Sequence, residues 1–140
     1  MAYIAKIAVA AAPYAIDRPF DYLIPDELVQ SLKPGMRVAV PFGAGNRSSD
    51  GIVLSCQEYP VLPLDKKLKC VIAQLDQEAM LSEEFLQLAL WMRDRYFCTV
   101  YDAARIMLPA GLWFSLKDCW RIAPGIDRAQ AYDAAGKHSV

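Results

Sequence analysis

The chain has 140 residues, of which 55% are hydrophobic and 22% charged, and its formal net charge is −1. This length and composition suit one ordinary globular domain, or one small domain with the start of another. The longest apolar run near the start, residues 7–12, is too short to cross a bilayer, and Pro13 breaks it before a secretory signal can form. We therefore expect a cytoplasmic protein with no membrane partner.

The first 76 residues are predicted to form a compact, strand-rich unit. Residues 33–36, Lys-Pro-Gly-Met, have proline and glycine where a type II turn prefers them, and the polar, glycine-containing residues 43–49 are typical of a hairpin tip. Pro25 ends the second strand because proline has no N–H to donate to a β-ladder. The apolar runs between these breaks predict strands at residues 3–9, 21–24, 37–40, 50–55 and 70–75.

The hydrophobic period changes beyond residue 80. Ser82 is suited to cap an amphipathic helix there. A spacing of three or four residues predicts that the apolar face of this helix consists of Phe85, Leu88, Ala89, Met92 and Tyr96. A second helix is predicted to begin at Thr99, with Asp102 completing an approximate capping box, and to stop before Pro109.

The residues after 112 differ again in character. Residues 113–122 suit a strand or a linker, and residues 127–135 suit a short helix. Because the chain ends without a closing element, we interpret residues 113–140 as a linker and the truncated start of a second domain.

Catalytic and metal-binding patterns are sparse. A single histidine, His138, argues against a Ser/His/Asp or Cys/His catalytic site. Residues 43–46 lack the following Gly-Lys-Ser/Thr of a phosphate-binding loop. Close cysteine pairs, which are typical of zinc sites, do not occur among Cys56, Cys70, Cys98 and Cys119. We predict no catalytic residue and no metal site in this chain.

The stretch RPFDYLIP, residues 18–25, places an aromatic ring beside a carboxylate between two prolines. In the structural interpretation, Phe20 fills the core and Asp21 caps a turn, because neighbouring side chains of a strand point to opposite faces. In the functional interpretation, the pair lines a pocket for one flat group and one hydroxyl. Residues 33–69 carry six basic and three acidic side chains, which is a modest positive patch.

Five segments of the chain resemble the PriA family of bacterial replication-restart helicases in sequence and in order. They are RPFDYLIP (18–25), PGMRVAVPFG (34–43), GIVLS (51–55), LKCVIAQLD (68–76) and LALWMRDRYFCTVYDAARIMLPAGL (88–112). The resemblance implies an α+β fold, in which a small, twisted, mostly antiparallel and barrel-like β-sheet precedes a helical pair. It implies a 3′-DNA-terminus-binding domain at residues 1–112 and the start of a winged-helix domain at residues 113–140.

The same resemblance implies a function in replication restart. In the family, this domain recognises the 3′-OH end of a nascent DNA strand at stalled or abandoned forks, on behalf of an ATP-dependent 3′-5′ DNA helicase. The family pocket corresponds to Phe20, Asp21, Gly43 and Lys69 of this chain. By their charge and position, the possible peripheral DNA contacts are Arg47, Lys66 and Lys67.

The resemblance also divides cofactors and partners between this chain and a full-length parent. ATP, Mg and structural Zn, together with primosome and single-strand-binding proteins as partners, are expected only of the parent, which acts at the nucleoid. This chain has no Walker or helicase motif, so we expect no enzymatic activity and no cofactor in it alone.

Two other functions are compatible with the residues. A protein-interaction adaptor without specific DNA-end binding would use exposed aromatic side chains, for which the candidates are Trp91, Trp113, Phe114 and Trp120. A small-molecule enzyme would use the pocket at Phe20 and Asp21. The second is less well supported, because no second general acid or base is evident.

Overall fold

A single curled sheet forms the first part of the chain in the computed structural model, which describes residues 1–60, 67–109, 111–112 and 121–130. Within the described residues its strands are β1 (Ala2–Val9), β2 (Phe20–Leu23), β3 (Arg37–Phe42), β4 (Arg47–Tyr59), β5 (Lys69–Cys70) and β6 (Ala73–Gln74). They lie in the order β5-β2-β1-β4-β3-β6, and each pair is antiparallel except the parallel pair β2–β5. The predicted α+β fold with a mostly antiparallel sheet is confirmed.

The sheet curls because β5 and β6 join its two sides. Only Val71 and Ile72 separate these strands, yet β5 pairs with β2 and β6 pairs with β3. The N–H of Val71 donates to Leu23 O at 3.0 Å, and the N–H of Ile72 donates to Ala39 O at 2.8 Å. The segment from β5 to β6 therefore spans the gap between β2 and β3 and gives the sheet its barrel-like form.

The core lies inside this curled sheet and is made of alternate residues of its strands. The fully buried side chains of greatest volume in this core are Ile7, Val9, Met36, Val38, Val40 and Val53. Ile52 is also fully buried but lies outside this cluster. Burying a side chain of this size contributes about 1.5–3 kcal/mol. On the outside of the sheet, α2 contacts β1 and β4 and buries Ala103 and Ala104.

Both predicted helices are present, as α1 (Glu83–Arg95) and α2 (Val100–Arg105). Thr99 caps α2 as predicted, since its Oγ1 accepts a hydrogen bond from the Asp102 N–H at 3.0 Å. No helix among the described residues is long and apolar enough to cross a membrane.

The predicted apolar face of α1 is partly wrong. Leu86 and Ala89 are buried, whereas Phe85, Leu88 and Tyr96 are exposed. The helix carries two neighbouring apolar stripes. A spacing of three or four fits both stripes, so periodicity identifies the helix but not the stripe that packs.

The bounds of the strands differ from the predicted ones in several places. β1 begins one residue earlier than predicted, at Ala2, and β3 continues two residues further, to Phe42. β2 begins at Phe20, one residue before the predicted start. β4 is longer than the predicted strand 50–55, because the turn occupies only residues 43–46 and residues 47–49 pair with β3. The predicted single strand 70–75 is divided into β5 and β6, because the segment changes its pairing partner at Val71 and Ile72.

Residues 111–140 form a second compact unit, separate from residues 1–110. Residues 128–130 are helical, residue 127 is not, and residues 131–135 of the predicted helix 127–135 lie outside the described residues. The predicted strand or linker 113–122 lies mostly outside the described residues. The assignment of this unit to a winged-helix domain stays a prediction.

Candidate functional site

A cavity of about 260 Å³ opens where the start of β2, the end of β3 and the start of β5 meet. Its lining residues are Phe20, Asp21, Tyr22, Phe42, Gly43, Lys67, Leu68 and Lys69. All four residues of the predicted pocket are among them. They meet because β2 pairs in parallel with β5 through Tyr22 and Lys69, which brings residues 67–69 beside the start of β2.

The apolar wall of the cavity consists of two phenylalanines. The ring centroids of Phe20 and Phe42 lie 5.3 Å apart at 81°, an edge-to-face arrangement that aromatic pairs favour. Phe20 also packs against the core, so the structural interpretation of this residue is correct in part. The buried Tyr22 also lines the cavity and connects β2 to β3, because its hydroxyl donates a hydrogen bond to Pro41 O at 3.0 Å. Burial raises the pKa of the Tyr22 phenol.

Asp21 pairs across the sheet instead of capping a turn. It lies directly opposite Lys6 of β1, and the Lys6 Nζ is 3.1 Å from the Asp21 Oδ1. The Asp21 side chain is 33% exposed. A carboxylate beside the cavity and open to solvent is accessible to a hydroxyl donor.

Gly43 and Lys69 close the polar side of the cavity. The Lys69 Nζ donates to Gly43 O at 2.7 Å, which leaves two further ammonium protons for a phosphate. Gly43 has φ +72°, and an added Cβ would meet no protein atom within 4 Å. The backbone conformation therefore favours glycine here, and the space beside its Cα is open.

The possible peripheral contacts differ in their positions. Lys67 is exposed and lines the cavity. Arg47 begins β4 opposite Phe42 and does not line the cavity. Lys66 lies outside the described residues.

Sequence reasoning missed three residues at this site. Phe42 immediately precedes the predicted Gly43. The Arg18 guanidinium lies 5.7 Å from the centroid of the Phe20 ring. This contact could have been predicted from the sequence, because residues i and i+2 of an extended chain lie on the same side. Lys6 could be found only from the pairing of β1 with β2. Two lysines, Lys67 and Lys69, and one carboxylate, Asp21, line the cavity, and Lys6 pairs with that carboxylate from outside the lining. This excess of positive charge suits an anionic ligand.

A larger cavity of about 550 Å³ lies elsewhere, between residues 25–28 and 72–77. The charged side chains that line it are Glu27 and Asp76, so it does not suit a phosphate-bearing ligand. Among the described residues, no group of three or more His, Cys, Asp or Glu side chains is placed to hold a metal ion.

The aromatic residues proposed for an adaptor surface are only partly described. Trp91 on α1 is 52% exposed, and its ring lies edge-on to Tyr96 with the centroids 5.9 Å apart. The other three residues, Trp113, Phe114 and Trp120, lie outside the described residues. The adaptor function therefore stays a prediction.

A family model and the curated relatives of this chain all belong to one protein family. The family model described as the 3′DNA-binding domain (3′BD) of PriA matches residues 6–109. Replication restart protein PriA of Bacillus subtilis (strain 168) is 39% identical over 123 residues, which cover 88% of this chain and 15% of the relative. The Rickettsia felis protein of the same name is 34% identical over 106 residues, covering 76% of this chain and 15% of that protein.

The Haemophilus influenzae protein of that name is 33% identical over 107 residues, covering 76% of this chain and 14% of the relative. The chain thus spans about 15% of the length of the curated relatives that it matches. The family match over residues 6–109 covers the end of β1, the other five strands of the sheet and both helices described above.

Proposed function

Because the chain belongs to the family of the 3′DNA-binding domain of PriA replication restart proteins, we propose that its cavity binds the 3′-terminal nucleotide of a DNA strand at a stalled or abandoned replication fork. The observation that carries this proposal is the meeting of Phe20, Asp21, Gly43 and Lys69 around one cavity. The cavity is smaller than the pockets that enclose drug-sized ligands, which have volumes of about 300–1,000 Å³. A cavity of this size suits the terminal nucleotide of a strand and not a longer stretch of it.

Each side of the cavity has a separate task in this proposal. The Asp21 carboxylate accepts a hydrogen bond from the 3′-hydroxyl and repels a 3′-phosphate, so one group supplies both attraction and discrimination. Phe20 and Phe42 pack against the terminal nucleotide, and stacking of a base on an aromatic ring contributes about 1–3 kcal/mol without sequence preference. Lys69 holds the last phosphate and Lys67 assists it.

The larger context is also part of the proposal. The relatives are about seven times as long as the matched segment, so we place an ATP-dependent 3′-5′ helicase motor, with its ATP, Mg and structural Zn, outside this chain. In the parent protein, binding of a free 3′-OH end by this domain would be coupled to the activity of that motor. Contacts with primosome and single-strand-binding proteins belong to the same parent protein.

Replacing Asp21 with alanine should lower the affinity for 3′-OH DNA by about tenfold or more, because a hydrogen bond to a charged group contributes about 1.5–3 kcal/mol and each 1.4 kcal/mol is a factor of ten. The wild type should bind short oligonucleotides that end in 3′-OH at least several-fold more tightly than the same oligonucleotides ending in 3′-phosphate. Asp21→Ala should lose that preference. Fluorescence anisotropy at one fixed salt concentration measures both quantities.

Asp26→Ala is the matched control, because it removes one exposed carboxylate that does not line the cavity. It should keep both the affinity and the preference of the wild type. If the wild type binds both kinds of end equally, the end-recognition mechanism is wrong.

Replacing Lys67 with methionine should weaken 3′-OH and 3′-phosphate DNA alike, because this lysine would contact a phosphate and not the terminal sugar. The plot of log affinity against log salt has a negative slope, and for a single strand each lost phosphate contact makes that slope shallower by about 0.7. Salt titrations of the wild type and of Lys67→Met test this directly, with the exposed Lys33→Met as control. A wild-type slope steeper than about −4 would instead indicate a broad phosphate-binding surface.

A further inference from the structure

Lys6 occupies a special position relative to the candidate site. It lies on β1 directly opposite Asp21 of β2, and its Nζ is 3.1 Å from the Asp21 Oδ1. Among the described residues, the other carboxylate oxygen, Oδ2, makes no hydrogen bond with the protein. The ion pair therefore fixes one oxygen of the carboxylate and leaves the second available to a ligand.

A bulge in the sheet lies beside this lysine. Lys6 pairs with Ser55 of β4, whereas the next residue, Ile7, pairs with Val53, so β4 carries one extra residue, Leu54, at this point. Bulges bend a strand, increase its local twist and re-aim side chains, and they are frequent next to active sites. The sheet thus departs from its regular register at the position from which Lys6 reaches Asp21.

We propose that Lys6 is a positioning residue of the DNA-end site, which holds the Asp21 carboxylate so that Oδ2 faces the 3′-hydroxyl. This inference rests on the proposed function above. Lys6 does not line the cavity, whereas Lys67 and Lys69 do, and its ammonium is engaged with the carboxylate. Its effect on DNA binding is therefore exerted through Asp21 and not through a phosphate.

The proposal differs from two simpler roles for Lys6. A cross-strand ion pair that only stabilises the sheet would change the stability of the protein and leave DNA affinity unchanged. A direct phosphate contact would lower DNA affinity whether or not Asp21 carries a charge. A positioning role makes the effect of Lys6 on binding depend on the Asp21 carboxylate.

A double-mutant cycle separates these roles. The affinity for 3′-OH oligonucleotides is measured for the wild type, Lys6→Met, Asp21→Asn and the double variant, with circular dichroism to confirm that each is folded. Lys6→Met should lower the affinity about three- to fivefold, which corresponds to the upper range for a part-exposed ion pair. The same change should have no effect in the Asp21→Asn protein.

Two further readouts exclude a merely structural effect. Lys6→Arg should restore most of the affinity, because arginine keeps the charge and the reach to the carboxylate. The slope of log affinity against log salt should be the same for the wild type and Lys6→Met, since no phosphate contact is lost.

The failures of the two proposals are distinguishable. If the wild type does not distinguish 3′-OH from 3′-phosphate ends and Asp21→Asn changes nothing, the proposed function is wrong and the role of Lys6 falls with it. If the preference depends on Asp21 but Lys6→Met keeps full affinity, only the positioning role is overturned. An equal loss in both backgrounds, with a shallower salt slope, also overturns it and makes Lys6 a phosphate contact.

Discussion

Replacing Asp76 with alanine is expected to lower the free energy of unfolding by about 3–5 kcal/mol, because it removes one partner of a buried ion pair. The side chains of Arg37 and Asp76 are only 9% and 6% exposed. The Asp76 Oδ2 accepts hydrogen bonds from the Arg37 backbone N–H at 2.8 Å and from its Nε at 3.0 Å. These contacts raise the pKa of Arg37. The guanidinium still stays charged when the carboxylate is lost, because arginine does not deprotonate in proteins.

A neighbouring carboxylate limits the expected loss. Burial raises the pKa of Asp50, and the charge of Arg37 opposes that rise, so these two groups interact. In Asp76→Ala, Asp50 would still offset part of the charge of Arg37. We therefore expect a loss near the lower end of the range.

Urea unfolding followed by circular dichroism measures this effect. Glu78→Ala is the matched control, since it removes an exposed carboxylate two residues further along and should change stability by less than about 0.5 kcal/mol. The double variant Arg37→Met/Asp76→Leu removes both charges and should be more stable than Asp76→Ala. A loss for Asp76→Ala that is no larger than that of Glu78→Ala would contradict a structural role for the pair.

Local patterns in the sequence predicted much of the fold. The strand at residues 3–9 was evident from alternation, and the Thr99 cap was evident from the residues around it. The division of residues 70–75 into two short strands was not predictable, because it depends on a change of pairing partner from β2 to β3. The buried side of α1 was missed for the same kind of reason, since the packing of the whole domain selects it.

The candidate site was predictable in part from sequence. Phe20 and Asp21 were conspicuous between two prolines, and the family resemblance supplied Gly43 and Lys69, which residue chemistry alone did not connect to them. The pairing of Lys6 with Asp21 joins residues 15 apart, and its register depends on the complete β1–β2 hairpin. Composition and charge contain no information about that register.

Replacing Gly35 with alanine is expected to lower the free energy of unfolding by about 2–5 kcal/mol, through a left-handed backbone and a steric overlap together. Gly35 has φ +86°, as the predicted type II turn requires. An added Cβ would overlap the carbonyl oxygen of Leu81. The Gly35 carbonyl also accepts hydrogen bonds from the N–H groups of Met80 at 3.1 Å and Leu81 at 3.3 Å, so the overlap would disturb the segment that leads into α1.

Gly43→Ala separates the two contributions to this loss. Gly43 has a similar φ of +72°, but an added Cβ there meets no atom within 4 Å, so only the backbone penalty of about 1–2 kcal/mol should remain. Gly45→Ala, with neither a positive φ nor a close neighbour, should have little effect. Urea unfolding of the three variants should rank their losses as Gly35, Gly43 and Gly45. Equal losses at Gly35 and Gly43 would mean that the segment at Leu81 moves aside readily, and that the turn does not fix α1 to the sheet.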